Sequence, residues 1–233
     1  MNVLITRPLI DAEDLMGKLF SLGHKIIHLP TLKISSVNND PIDISKYDAL
    51  VFTSANAIRN LKVKSKNIDK LCFCVGSITE KIARNSGYNN TISAGGNVNA
   101  LKNLIMNSAE INKKSKIAYF CGDNLTSELD EELNKEGLNV EKFINYTSEM
   151  ITELNEKNKI IISSHPPDII FVYSARSAES FIGIVKKYSL DPLMTGSKVM
   201  CISNKVLKIF IKSNWKNLEL FEPGDELNKL NIR

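Results

Sequence analysis

The chain has three histidines, four cysteines and one tryptophan in 233 residues, and each scarcity removes a class of function. His24 and His28 stand four apart, but in a stretch that reads as turn and strand, where that spacing builds no helical metal face. His165 precedes two prolines and reads as a loop residue, so no Ser-His-Asp arrangement can be assembled. Cys72, Cys74, Cys121 and Cys201 form no CxxC pair and sit in apolar runs, which points to buried reduced thiols and to no metal site. No apolar window approaches the roughly eighteen residues that span a bilayer, so no membrane is expected. There is no GxGxxG after a strand and no P-loop, which excludes the usual nucleotide signatures. The excess of 30 Lys and Arg over 26 Asp and Glu is mild. It falls far short of a nucleic-acid-binding stripe and favours an acidic small molecule. Met1-Asn2-Val3 opens directly into an apolar strand with no basic leader, so the cytoplasm is the expected compartment.

One device recurs six times: a short apolar run, a small polar residue or glycine, then a helical stretch. The runs are Val3-Leu4-Ile5, Ala49 to Phe52, Leu71 to Val75, Ile117 to Phe120, Ile169 to Tyr173 and Val199 to Ile202. They are continuously apolar, as strands of a parallel sheet covered on both faces must be. Leu15, Leu19 and Leu22 after the first run, and Leu129 and Leu133 after the fourth, keep helical spacing. Gly23 and Gly137 follow where a left-handed cap ends a helix, and new strands begin at Ile26 and Val140. Alternation of this kind predicts an α/β protein with doubly wound parallel sheets.

The two halves repeat. The order from Val3 through Gly23 to Pro30 matches Ile117 through Gly137 to Tyr146. Asp48 to Ala55 echoes Asp168 to Ala175, and Leu71 to Ala83 echoes Lys198 to Ile209. An internal duplication is expected. Lys33 to Asp43 and Thr147 to Pro167 are polar, turn-rich stretches suited to joining domains.

In doubly wound sheets ligands bind beyond the carboxyl ends of the strands, where these turns lie. Helix starts there present free N–H groups and partial positive charge, worth roughly 0.3–1 kcal/mol per anion contact. Taken singly, Ser54, Thr79 and Ser174 read as N-caps; two lobes bringing such turns together make a polyanion cleft. Arg7, just past the first strand, reads either as a bidentate carboxylate partner or as a solvated surface residue. Tyr146 ends the strand after Gly137, with its hydroxyl in a cleft or its ring in a core. Lys198 opens the last strand rather than closing it, which favours a surface role unless its ammonium reaches the cleft.

In order and spacing, Val3 to Pro8, Pro30, Val51 to Ala57, Val75 to Thr79, Gly137 to Tyr146 and Phe171 to Ser174 together resemble uroporphyrinogen-III synthase over essentially the whole chain. The resemblance implies two flavodoxin-like doubly wound parallel-sheet domains joined by two strand-like linkers. Residues 1–33 plus 149–233 would form domain one and 34–148 domain two, with the active-site cleft between them. It implies cofactor-free closure of hydroxymethylbilane, with inversion of ring D and loss of water. The lack of an obvious exposed apolar helix points to a monomer, and composition points to no nucleic-acid or membrane partner. Tyr146 matches the tyrosine proposed to protonate the leaving hydroxyl. Ser54, Thr79 and Ser174 would line the cleft with Ala55, Gly76, Gly122 and Ala175, and Lys198 would meet a carboxylate. The chain departs from the family where Ile202-Ser203-Asn204-Lys205-Val206 replaces a glycine and a threonine. Two other readings of the same residues are a cytoplasmic two-lobed ligand-binding or sensor protein and a transferase using a nucleotide-linked donor.

Overall fold

Each of the six apolar runs is a strand in the computed structural model, which describes residues 1–37, 40–65, 68–125 and 127–230. Asn38 and Asn39, within the first stretch read as a linker, lie outside the described residues. The chain begins β1 (Asn2–Ile5), α1 (Leu9–Ser21), β2 (Lys25–His28), β3 (Leu32–Ser36), β4 (Ala49–Phe52) and α2 (Ala55–Arg59). It continues β5 (Leu71–Cys74), α3 (Ser77–Asn85), β6 (Thr91–Ser93), α4 (Val98–Met106), β7 (Lys116–Gly122), α5 (Leu129–Lys135) and β8 (Asn139–Met150). The last part runs α6 (Glu156–Ser164), β9 (Ile169–Val172), α7 (Ala175–Lys187), α8 (Asp191–Met194), β10 (Lys198–Cys201), α9 (Asn204–Lys212) and β11 (Leu218–Leu220). No described helix is long and apolar enough to cross a membrane.

Two compact units result, Met1–Lys33 with Glu149–Arg233, and Ile34–Ser148. In the first, the sheet order is β2-β1-β9-β10-β11, all parallel. Numbered within the unit this is 2-1-3-4-5, a doubly wound order. Alternate residues of each strand feed two cores. Leu4, Ile170, Val172, Val199 and Cys201 pack under α6, α7, α8 and α9. Val3, Ile5, Ile169, Phe171 and Met200 pack under α1 through Ala12 and Leu19. That two-sided burial is why the strands carry no polar alternation.

The second unit has the order β8-β7-β4-β5-β6, again parallel, with β3 added beyond β8. Leu50, Phe52, Cys72, Cys74, Ala118 and Phe120 face α2 and α3, while Ala49, Val51, Phe73, Ile117 and Tyr119 face α4 and α5. All four cysteines are buried in strands β5, β7 and β10. Burial pushes their thiols up, Cys121 to about 11 and Cys74 and Cys201 to about 12.

The repeat extends to single hydrogen bonds. The Asp168 backbone N–H donates to Asn2 O (2.8 Å), and its carboxylate accepts from Asn2 N–H (2.6 Å). Asp48 does the same with Lys116, at 2.7 Å for each bond. Helices α1 and α5 both end on a left-handed glycine, Gly23 at φ 80° and Gly137 at φ 89°. The following amide reaches back in each case, His24 to Leu19 O and Leu138 to Leu133 O. Both are Schellman caps, which a Cβ at the glycine would strain. What differs is chain order: unit one runs β1, β2, then β9 to β11, whereas unit two runs β4 to β6, then β7 and β8.

β3 and the end of β8 run in opposite directions, as Val37 N–H to Asn145 O (3.1 Å) and Ile151 N–H to Thr31 O (2.9 Å) show. Of the second stretch read as a linker, Thr147 to Met150 is strand, but Glu156–Ser164 is helix α6, which buries Asn158 and Ile162. Its polar composition reflects one exposed face rather than a loop.

Candidate active site

Five of the six turns lead straight into helices. Pro8, Ser54, Gly76, Ser174 and Ser203 are the capping residues of α1, α2, α3, α7 and α9. Three cap with their side chains: Ser54 Oγ accepts from Asn56 N–H (3.1 Å), Ser174 Oγ from Ser177 N–H (3.0 Å) and Ser203 Oγ from Val206 N–H (3.4 Å). The fourth turn differs. β7 runs on to Gly122, and α5 begins only at Leu129 with Asp130, Glu131 and Glu132 in its first turn. Such a helix start repels anions.

In unit one Arg7 lies with its guanidinium carbon 3.8 Å from the centre of the Tyr173 ring, a cation–π contact. It has no carboxylate partner among the described residues, so its charge remains available to an acid. Its carbonyl accepts from His28 Nε2 at 2.9 Å. Burial raises the Tyr173 phenol well above its ordinary value, the Arg7 charge opposing, and the hydroxyl has no hydrogen-bond partner of ordinary geometry. Phe221 meets the same ring edge-on at 5.3 Å.

Ser174 and Ala175 start α7. Beneath them runs a buried hydroxyl relay. Thr6 Oγ1 donates to Phe171 O (2.8 Å), and Ser177 Oγ donates to Thr6 Oγ1 (3.1 Å). Thr31 Oγ1 makes a short contact with Ser177 Oγ and also lies 3.3 Å from Thr6 O, so its single proton serves one or the other. Ser180 Oγ lies 2.8 Å from Thr31 O and 2.7 Å from Ile151 O. These hydroxyls hold the end of β1, the start of α7, Thr31 and Ile151 in one arrangement within unit one. Sequence reasoning missed them. The signal was Ser174, Ser177 and Ser180, a serine every third residue from the N-cap into the first turns of α7.

In unit two Ser54 and Ala55 start α2, a helix of five residues with little dipole. Gly76 starts α3, where a Cβ would stand 3.2 Å from Gly96 Cα, so two backbones approach closely. Thr79, in the first turn of α3, is 5% exposed and turns most of its surface inward. Gly122 pairs with Tyr146 across a bulge in β8, since Cys121 pairs with Ile144 and Asn145 is the extra residue between them. A Cβ on Gly122 would fall 2.6 Å from Tyr146 Cζ, 2.7 Å from Cε2 and 2.9 Å from the hydroxyl oxygen. The tyrosine ring therefore lies on the glycine, with Asp123 N–H donating to Tyr146 O at 3.1 Å.

Lys198 is not brought together with these residues. It opens β10 at the amino edge of its sheet, where its ammonium meets Glu219 at 3.1 Å, and Lys229 holds the other carboxylate oxygen at 2.8 Å. A depression of about 580 Å³ at that edge, lined by Trp215, Lys212 and Met194, contains none of the predicted site residues. Another of about 520 Å³ adjoins Ser203 and Asn204 but is also lined by Glu222 and Asp225, an unfavourable setting for an acid.

Among protein families, the model for uroporphyrinogen-III synthase HemD matches residues 13–220. No curated protein matches the sequence. Solved structures share the fold. A uroporphyrinogen-III synthetase from Helicobacter pylori 26695 is 15% identical, with TM-score 0.65, over 100% of this chain and 99% of that one. A mutant uroporphyrinogen III synthase from the extremely thermophilic bacterium Thermus thermophilus is 13% identical, with TM-score 0.58, over 99% and 97%.

Proposed function

The chain belongs to the uroporphyrinogen-III synthase family, lyases that cyclise hydroxymethylbilane in heme biosynthesis, and we propose that it does so with Tyr146 and the carboxyl-end turns of both units. The substrate carries an acetate and a propionate on every pyrrole. The starts of α1, α3 and α7 offer free N–H groups and positive dipole ends to these acids, through Gly76, Thr79, Ser174 and Ala175. Ser54 and Ala55 supply local N–H groups, and Arg7 supplies a charge that no described carboxylate neutralises. Lys198 stays with Glu219 in this reading.

Loss of the hydroxyl as water needs a proton or a strong hydrogen bond at the departing oxygen, which the Tyr146 phenol provides. The enzyme's remaining task is geometric. It folds the bilane so that ring D attacks through its substituted carbon before simple end-to-end closure, which gives the uninverted isomer. The observation that carries the reading is the Tyr146 ring seated on Gly122, a residue with no side chain to displace it. The mild charge of +4 argues against a nucleic-acid partner, and the four buried free thiols suit a reducing compartment such as the cytoplasm.

The test is incubation with hydroxymethylbilane, oxidation of the products and separation of the porphyrin isomers. Isomer III is expected from the protein as it stands, and Tyr146→Phe should form it several-fold more slowly. Isomer I alone from the unaltered protein overturns the activity. An unchanged rate in Tyr146→Phe removes Tyr146 and leaves the activity in place.

A further inference from the structure

The residue before the tyrosine has an unusual environment. Asn145 is 4% exposed, its amide donates to Ala57 O at 2.6 Å, and its own side-chain oxygen is buried with no hydrogen-bond partner. A buried carbonyl without a donor costs about 1–3 kcal/mol, and an apolar residue of similar size would avoid that cost. Beyond supplying a donor to the buried Ala57 O, asparagine with a stranded oxygen needs a further reason to stand here.

The internal repeat supplies one. Val3 pairs with Ile26 and, equivalently, Ile117 pairs with Val140. Thr31 stands five residues past Ile26, and Asn145 stands five past Val140. Ser177 and Ala57 each stand three residues past an N-cap, Ser174 and Ser54. Thr31 bonds Ser177 by its side chain, and Asn145 bonds Ala57 by its side chain. Both units thus tie the same point of the departing strand to the first turn of the same helix, by different chemistry. In unit two the residue after that tie is Tyr146.

We propose that Asn145 is a positioning residue for Tyr146, an inference that rests on the role given to Tyr146 above. Three backbone restraints converge here. Asn145 O accepts from Val37 N–H (3.1 Å), Tyr146 O accepts from Asp123 N–H (3.1 Å), and the Asn145 amide fixes β8 to α2. The first two hold the strand in its sheet. The third stops it sliding along the bulge opposite Cys121 and Gly122, where the register is otherwise irregular. Slippage there moves the phenol relative to whatever α2 and α3 hold, and a misplacement of about 1 Å costs a reaction up to roughly 100-fold.

Asn145→Leu removes the donor at nearly constant volume, and Asn145→Ser pulls it out of reach of Ala57 O. Either one, once shown to be folded by its near-UV spectrum and a cooperative melt, decides the matter. With hydroxymethylbilane we expect kcat for isomer III to fall about tenfold or more, KM to stay within about threefold, and the fraction of isomer I to rise. A folded variant with the parent kcat and isomer ratio, or one altered only in melting temperature, overturns the positioning role. Tyr146→Phe run alongside separates the two ideas. If that variant keeps the parent rate, the role of Tyr146 fails. If it is slow while both Asn145 variants are fast, only the present inference fails.

Discussion

Replacing Gly122 by alanine adds one methyl group against the Tyr146 ring. The backbone of Gly122 is not in the left-handed region, since only six other glycines have positive φ, so alanine brings no conformational strain. The whole effect is contact. Ring atoms at 2.6 and 2.7 Å from the new Cβ must retreat by about 1 Å to reach ordinary van der Waals distance, and the hydroxyl oxygen at 2.9 Å must follow. Overpacking of this kind costs about 1–3 kcal/mol in stability, and displacement of a reacting group by that distance costs about 10- to 100-fold in rate. The assay is initial-rate formation of isomer III, with urea unfolding as the companion measurement. Gly122→Ala is expected to lose at least about tenfold in kcat while remaining folded. Placed on a Tyr146→Phe background, the same change should lose much less, because the group it displaces is already gone. Full activity in Gly122→Ala, or equal losses on both backgrounds, refutes the claim that the glycine serves the tyrosine.

Two other expectations follow from the buried groups. Tyr173→Phe keeps the ring beneath Arg7 and deletes a buried hydroxyl that has the Glu226 carboxylate nearby but no well-formed hydrogen bond, so urea unfolding should show stability unchanged or raised by up to about 1 kcal/mol. A clear loss would mean that the hydroxyl is bonded. The four thiols are raised by burial, Cys121 least at about 11. The folded state therefore holds their protons more tightly than the unfolded chain, whose thiols titrate near 8.5. Stability should be level below about pH 8 and decline as pH rises from about 9 towards 12, with an unchanged urea m value. Alkylation with iodoacetamide at about pH 8 should modify none of the four until the protein is unfolded, and prompt native-state labelling would count against their burial.

Much of the fold could be read in advance because its cause is local. Continuous apolar runs announced strands buried on both faces, and Gly23 and Gly137 announced left-handed helix ends, since both signals depend on a few adjacent residues. Two of the edge strands escaped notice. β6 reads Thr-Ile-Ser and β11 reads Leu-Glu-Leu, short and half-solvated, with no pattern of their own. Helix α6 was hidden by its polar face. At the site, the N-cap serines were legible from the strand–Ser–helix order, but their company was not. The Thr31–Ser177 contact joins residues 146 positions apart, and Asn145 reaches Ala57 across 88. Only the paired sheet brings them together. Lys198 was carried by resemblance, and its position at the amino edge follows from strand polarity, which the sequence already stated by placing it first in its run.

The unequal chain order of two otherwise matching sheets bears on how the molecule is made. As the polypeptide leaves the ribosome, Ile34 to Ser148 emerges without interruption and has all its partners at hand. The opening βαβ segment does not. Val3 waits for Ile169, so one side of β1 stays unpaired until most of the remaining chain has been synthesised. The middle unit can therefore complete its sheet before β1 is paired on both sides, and β9 and β10 wait in turn for the strands that follow them.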